Sequence, residues 1–312
     1  MASSTSSAFS SCRLCPHECG VNRLAGETGV CGETVELRLA TAGAHFGEEP
    51  CFTGTHGSGA LFFSGCPCHC FFCQNWQISN LGGKGTLVSL EACRRVTHDL
   101  LKQKVHNLNF VTPDHVWPHI EALCRRLRED GVEAPFLFNS SGYHLPAMVP
   151  RYAEWMDVFV PDFKFADPKL AQQVMRDGRY PDLALEAIRR MVEAKGFLAP
   201  FDPEGTALAR QGVLVRHLVL PGHLDNSLAV LSLLREEFGR FLPLSLMSQY
   251  TPIPALNPSA PFDQFLSPED YQTAVAHALS LGFENLLIQP PSTAEDFLPD
   301  FTRPQPFRGN LR

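Results

Sequence analysis

Gly65-Cys66-Pro67-Cys68-His69-Cys70-Phe71-Phe72-Cys73-Gln74-Asn75 is the stretch on which the fold turns. Cys66, Cys70 and Cys73 stand in a C-x3-C-x2-C spacing that wraps a short loop around one soft metal centre. Thiolates select iron–sulfur clusters or zinc, and most clusters take four of them. Three in one loop, with no evident fourth, suit a four-iron cubane with one iron left open for a small chelating molecule. The rival readings are a tetrahedral zinc site that recruits His69 or Cys68 as its fourth ligand, and chance clustering of cysteines.

Outward from that loop, composition narrows the class. The chain has 312 residues, 44% hydrophobic and 19% charged, as a globular protein of one large or two small domains has. A net charge of -7 without a Lys/Arg patch argues against nucleic acid as a partner. Met1 to Ser11 lacks the basic and apolar regions of a secretory signal, and no run of 18 apolar residues offers a membrane span. Cys12, Cys15, Cys19, Cys31, Cys66, Cys68, Cys70 and Cys73 crowd the first quarter, and none follows Cys124. That asymmetry reads as metal ligation in a reducing cytoplasm, the expected location, rather than as a disulfide scaffold.

Upstream, Cys12-Arg-Leu-Cys15-Pro-His-Glu-Cys19, followed by Cys31, forms a four-cysteine knot, expected to hold a structural zinc or an auxiliary cluster. A short strand is expected at Glu36–Ala40. His45-Phe-Gly-Glu48-Glu49-Pro50 reads either as a solvated loop or as acids approaching the cluster from the N-terminal side.

Downstream, the rhythm becomes strand then helix. Ala60–Ser64 is continuously apolar, as a strand buried on both faces is, and it delivers the cysteine loop at its C-terminal end. Further strands fall at Asn107–Thr112, Phe136–Phe138, Val158–Val160, Val213–Leu220, Leu244–Met247 and Leu286–Ile288. Helices begin behind Ser89 and Ser267, occupy Leu145–Trp155, and run from Pro168 to Ala194 with a break near Gly178. Such alternation gives parallel strands with crossover helices. The expectation is an α/β fold, a partial (β/α)6-type TIM barrel of six or seven units. Its parts are a disordered N-terminus (1–11), a Cys-rich segment (12–56), the barrel (57–289) and a Pro-rich tail (290–312) lying over the surface.

In parallel barrels chemistry collects at the C-terminal strand ends, so polar residues there are the candidates. Asp162 and Lys164 flank Phe163, and Lys164 or the forked donors of Arg216 suit a carboxylate. Of Arg216 and His217, adjacent in one strand, only one faces the barrel interior, and Arg216 is chosen. His115, His144 and His223 lie in strand-end loops without an evident partner.

The aromatic Phe72 before the last cysteine, together with Cys12-Arg-Leu-Cys15-Pro-x-x-Cys19-Gly-Val, Phe63-Ser-Gly-Cys66, Asn139-Ser-Ser-Gly-Tyr143, Pro161-Asp-Phe-Lys164, Arg216-His-Leu-Val-Leu-Pro-Gly222 and Leu246-Met-Ser-Gln-Tyr250, resembles the radical S-adenosylmethionine (SAM) superfamily. The subgroup that it resembles is pyruvate formate-lyase activating enzyme-like, and the match runs from Cys12 to Gln289. The resemblance implies a [4Fe-4S] cluster on Cys66, Cys70 and Cys73, S-adenosyl-L-methionine chelating its open iron, and reductive cleavage to a 5′-deoxyadenosyl radical that abstracts hydrogen. It further implies Phe72 near the adenine, Gln249 at the adenine edge, and Asn139, Ser140 and Ser141 toward the ribose or a nearby cation, with Asn139 standing where the family usually has Asp, a departure that counts against the cation. Where relatives carry Gly-Gly-Glu for the cofactor's amino group, this chain has Thr112-Pro113-Asp114-His115. Thr112 is expected to be extended because it precedes proline, its carbonyl serving, with Asp114 as the acid. Gly82-Gly83 is read as a loop.

Three functions follow: a radical enzyme acting on a protein or peptide, in the manner of a glycyl-radical activase; one acting on a small metabolite; and an electron-transfer or metal-carrier protein without turnover. A carrier has no need of Asp162, Lys164 and Arg216. The implied partners are a protein or peptide substrate and a flavodoxin or ferredoxin-type reductant.

Overall fold

The computed structural model describes residues 7–80, 83–290, 298–303 and 305–307. Gly82 and much of the Pro-rich tail lie outside these. Ten strands are described: β1 (Arg38–His45), β2 (Ser58–Phe63), β3 (Thr86–Leu87), β4 (Leu108–Val111), β5 (Phe136–Ser140), β6 (Val158–Pro161), β7 (Gly212–Val213), β8 (Val215–Leu218), β9 (Leu244–Met247) and β10 (Leu286–Ile288). One sheet runs β3-β1-β2-β4-β5-β6-β7 and the other β10-β9-β8.

β3 lies antiparallel on β1, whereas β2 and β4 to β10 pair with one another only in parallel, as crossover helices require. The two sheets are stitched where β6 runs on into Asp162 and Phe163: Leu214 N–H donates to Phe159 O at 3.0 Å and Phe163 N–H to Arg216 O at 2.8 Å. With β7 and β8 taken as one broken strand, the result is a partial barrel. β1 departs from the expected short strand at Glu36–Ala40: it is longer and pairs antiparallel to β2.

Side-chain alternation sorts the barrel into layers. Leu61, Phe63, Phe110, Phe136, Phe138, Phe159 and Val215 face the surrounding helices and join the main core. Leu137, Val158, Val160 and Leu214 face inward, where Cys51 and Phe52 of the helix Pro50–Thr53 plug the barrel floor. The expected helix starts are present: Ser89 Oγ accepts from Ala92 N–H, and Ser267 Oγ from Asp270 N–H. The Pro168–Ala194 stretch divides into Pro168–Met175 and Tyr180–Lys195.

Both ends of the chain are more engaged than the sequence suggests. Residues 7–10, within the stretch expected to be disordered, are helical. Phe9 is fully buried, stacked 5.2 Å from the His119 ring. One aromatic side chain among serines is enough to anchor the segment. In the tail, Phe301 and Phe307 pack on the inward-facing Phe62 at 5.7 and 5.3 Å, so its described part enters the open side of the barrel.

Burying an aromatic ring of this size stabilises by about 3 kcal/mol. Phe9→Ala is therefore expected to lower the unfolding free energy by about that amount in a denaturant titration. An unchanged midpoint would mean that the arm is not docked in solution.

Candidate active site

A cavity of about 810 Å³ opens at the C-terminal ends of the strands, at the upper end of the size of small-molecule sites. Cys66, Cys70 and Cys73 line one wall, with Cys68 and His69 beside them. Ser79 Oγ donates to Cys73 Sγ at 3.2 Å, and Cys68 N–H reaches Cys66 Sγ at 3.4 Å. The Cys70 thiol is drawn below its ordinary pKa, first by a hydrogen bond from Cys68 and, against the effect of burial, by the Lys164 ammonium. Burial pushes the Cys73 thiol up to about 12, so a metal must displace its proton to bind there.

Among the described residues, no three or more His, Cys, Asp or Glu side chains are gathered for a single metal ion. The three sulfurs of the trio are therefore not gathered on one point. A cubane presents a different iron to each thiolate, so its ligands need not converge. Three thiols on one wall, each already accepting a hydrogen bond, fit that group. His69 is committed elsewhere, its Nε2 donating to Val30 O at 2.5 Å.

Of the residues expected to hold a cofactor, Phe72, Thr112, Asn139, Ser141, Asp162, Lys164, Arg216 and Gln249 all line this cavity, as does Ser140. Lys164 Nζ is bonded to the Asp162 carboxylate. Burial works against the Lys164 charge, but Asp162, Cys70 and Tyr180 outweigh it and raise its pKa. Gln249 Oε1 accepts from Gln289 Nε2 at 3.0 Å. The motif residue Gly142 has φ +75°, and a Cβ there would lie 2.1 Å from Asp162 O. Only glycine lets the β5 and β6 ends approach this closely.

Three expectations are corrected. Asp114 is absent from the cavity wall and fully buried; burial raises its pKa to about 7, and its charge is felt by Cys15 and Tyr152 instead. The cause is Thr112, which is not extended: its φ of +47° turns the following residues out of the barrel and under the N-terminal knot. Thr112 N–H is held by Asn139 O at 2.8 Å, a bond that offsets a backbone conformation costly for a β-branched residue.

Arg216 is also not free for a carboxylate. Its guanidinium binds Glu48 and Glu49, the latter through Nε at 2.8 Å. These acids are not a solvated loop, since their side chains are 7% and 9% exposed. Glu48 Oε1 also accepts from Asn109 Nδ2 at 2.9 Å and Asn139 Nδ2 at 3.3 Å. Burial alone would raise its pKa, yet Arg216 and His45 outweigh that and lower it.

None of the strand-end histidines lines the cavity. His115 Nε2 donates to Ser64 O at 2.7 Å, His144 is fully buried, and His223 stacks on Phe262. His217 points away from the interior, bonded to Phe163 O and Ser227 Oγ. The sequence reading passed over Gln289, Ser245, Met247 and Phe307 on the cavity wall. Gln289 directly follows β10, so the strand-end rule reaches it. Phe307 carries no such signal.

Residues 61–231, more than half of the chain, match the family model described as the Radical SAM superfamily. An uncharacterized protein of Methanocaldococcus jannaschii is 30% identical over 224 residues, 70% of this chain and 59% of its own length. The chain thus spans about three fifths of that curated relative. Among solved structures, Streptococcus suis SuiB bound to precursor peptide SuiA is similar at a TM-score of 0.50 with 11% identity, over 75% of this chain and 49% of that one. A domain of pyruvate-formate lyase-activating enzyme from Bacteroides vulgatus is similar at a TM-score of 0.37 with 15% identity, over 55% and 89%. The SuiB likeness is one of fold alone. No described helix is long and apolar enough to cross a membrane.

The ion-pair cluster is testable. Arg216→Met leaves two buried carboxylates without their cation and is expected to destabilise the chain by about 3 kcal/mol or more. Adding Glu48→Gln and Glu49→Gln in the same chain is expected to recover most of that loss in a denaturant titration. A triple variant no more stable than Arg216→Met would show that the charges do not hold this region together.

Proposed function

Because the chain belongs to the radical SAM superfamily, we propose that it cleaves S-adenosyl-L-methionine reductively at a [4Fe-4S] cluster on Cys66, Cys70 and Cys73, and acts on a protein or peptide. When bound, cluster and cofactor together supply a 5′-deoxyadenosyl radical that abstracts hydrogen from the substrate. The observation that carries the reading is the shared cavity: three thiols, a buried ammonium, strand-end hydroxyls and amides, and an aromatic wall all face one space.

The chain's own groups divide the binding work. Lys164, steered by Asp162, supplies the fixed cation for the cofactor's carboxylate. The Thr112 carbonyl remains for the amino group, now without Asp114. Ser140, Ser141 and Asn139 stand on the ribose side, and Phe72 and Gln249 on the adenine side. Arg216, already neutralised by Glu48 and Glu49, positions the floor beneath these groups rather than binding the carboxylate. A flavodoxin or ferredoxin-type protein is the proposed reductant.

A polypeptide substrate is preferred over a metabolite because the cavity extends from the thiols to Gly47, Pro50, Pro203 and Glu204, which are exposed. An extended chain can thread from that rim to the cluster. A small metabolite is better served by an enclosed site.

Anaerobic reconstitution with iron and sulfide, then dithionite and S-adenosyl-L-methionine, is expected to release 5′-deoxyadenosine. Cys70→Ala is expected to abolish both the cluster absorption and this product, and Cys68→Ala to keep both. Equal loss from the two variants would mean that the ligands are misassigned; a fully loaded cluster that yields no product would favour a carrier. Deuterium from labelled peptides appearing in the 5′-deoxyadenosine would support the polypeptide substrate, and deuterium from small metabolites alone would overturn it.

A further inference from the structure

Arg23 is 1% exposed, and among the described residues no carboxylate pairs with it. Its Nη1 donates to His115 O at 2.6 Å, and its Nε and Nη2 donate to Thr34 O at 2.9 and 2.5 Å. Its guanidinium lies 4.6 Å from the Phe9 ring centre. Carbonyls and a ring face satisfy its donors but cancel no charge. A buried, uncompensated guanidinium costs several kcal/mol, so a counter-charge belongs nearby.

The remaining neighbour is sulfur: Nη1 lies 3.8 Å from Cys12 Sγ. Cys12, Cys15 and Cys31 are each buried to within 8% exposure, and all four knot cysteines are free of disulfides. Turns closed by Glu18 N–H to Cys15 O at 2.9 Å and Gly32 N–H to Gly29 O at 3.0 Å shape the segment. A Cβ at Gly29 would lie 2.8 Å from Cys19 Sγ, so glycine there makes room for that sulfur. Neutral thiols would leave Arg23 unbalanced, whereas metal-bound thiolates would not.

We propose that Cys12, Cys15, Cys19 and Cys31 hold a tetrathiolate metal centre whose buried counter-ion is Arg23. One Zn²⁺ or one oxidised four-iron cluster on four thiolates leaves the same net charge of about −2. The sulfurs are not gathered on one point, so the occupant either draws them in, as zinc does, or spans them, as a cluster does.

The centre also braces the catalytic loop. His17 of the knot donates to Pro67 O at 2.8 Å, and His69 of the cysteine loop donates back to Val30 O at 2.5 Å. Between these bonds Gly65 passes so close that a Cβ would lie 2.5 Å from Cys31 O.

The test does not depend on S-adenosyl-L-methionine chemistry. In the full-length chain with Cys66, Cys70 and Cys73 all changed to Ala, purified without oxygen, metal and sulfide analysis reads the knot alone. One zinc, or about four irons with matching sulfide, supports the centre and says which occupant it takes; neither metal in a folded chain overturns it. If the triple variant does not fold, the same analysis of reconstituted wild type must find metal beyond the catalytic cluster. For the counter-ion, release to a chelator is timed. Arg23→Gln is expected to release at least about tenfold faster than wild type, and Arg23→Lys to stay within about threefold. Equal rates for the two variants, or a wild-type rate for Arg23→Gln, overturn the assignment of Arg23. Where Arg23→Gln does not accumulate folded, metal missing from a folded Arg23→Lys chain does the same.

Discussion

A single buried carboxylate holds the interior of this barrel. Glu48, on the segment between β1 and β2, lines the cavity, accepts from Asn109 at β4 and Asn139 at β5, and with Glu49 binds Arg216 of β8. Open barrels lack the closing strand pairs that fix opposite walls of a closed one. Here charge-assisted hydrogen bonds cross the interior and take their place. Their strength requires burial, because the same pairs in water would contribute little. That burial is supplied from below by Cys51 and Phe52, which seal the floor.

The two inward-facing cations differ in their surroundings. Arg216 is held by two carboxylates through its Nε and Nη2 donors. Lys164 faces one carboxylate and stands within the electrostatic reach of Cys70. Of the two, Lys164 is therefore the one whose charge acts on the thiols.

Much of the fold was legible because its rules are local. Apolar runs marked the parallel strands, Ser89 and Ser267 marked helix starts, and the strand-end rule picked out Thr112, Asn139, Ser140, Ser141, Asp162, Lys164 and Gln249 on the cavity wall. What escaped depends on partners remote in sequence. Glu48 and Arg216 are 168 residues apart, and no periodicity links them, so an acidic pair beside Pro50 reads equally well as solvent-facing. Phe9 and Phe307 escaped for the same reason: a lone aromatic in a polar stretch reveals nothing of the surface that covers it. Thr112 was misread because the steric effect of Pro113 was weighed without the competing hydrogen bond from Asn139 O.

The Thr112 turn has a consequence that joins the two cysteine groups. By leaving the barrel there, the chain carries Asp114 and His115 under the knot, and His115 O becomes an acceptor for Arg23 while its ring binds Ser64 O. Ser64 is the last residue before the cysteine loop begins at Gly65. One residue therefore touches both the cation of the knot and the root of the catalytic loop. The departure at Thr112 removes an acid from the cavity, and it supplies a contact between Arg23 and Ser64 through one residue. The same junction is held from other sides, by Ser64 Oγ donating to Glu33 Oε1 at 2.6 Å and Arg179 Nη2 donating to Pro16 O at 3.1 Å, so the His115 contacts are one strand of a wider net between the two cysteine segments.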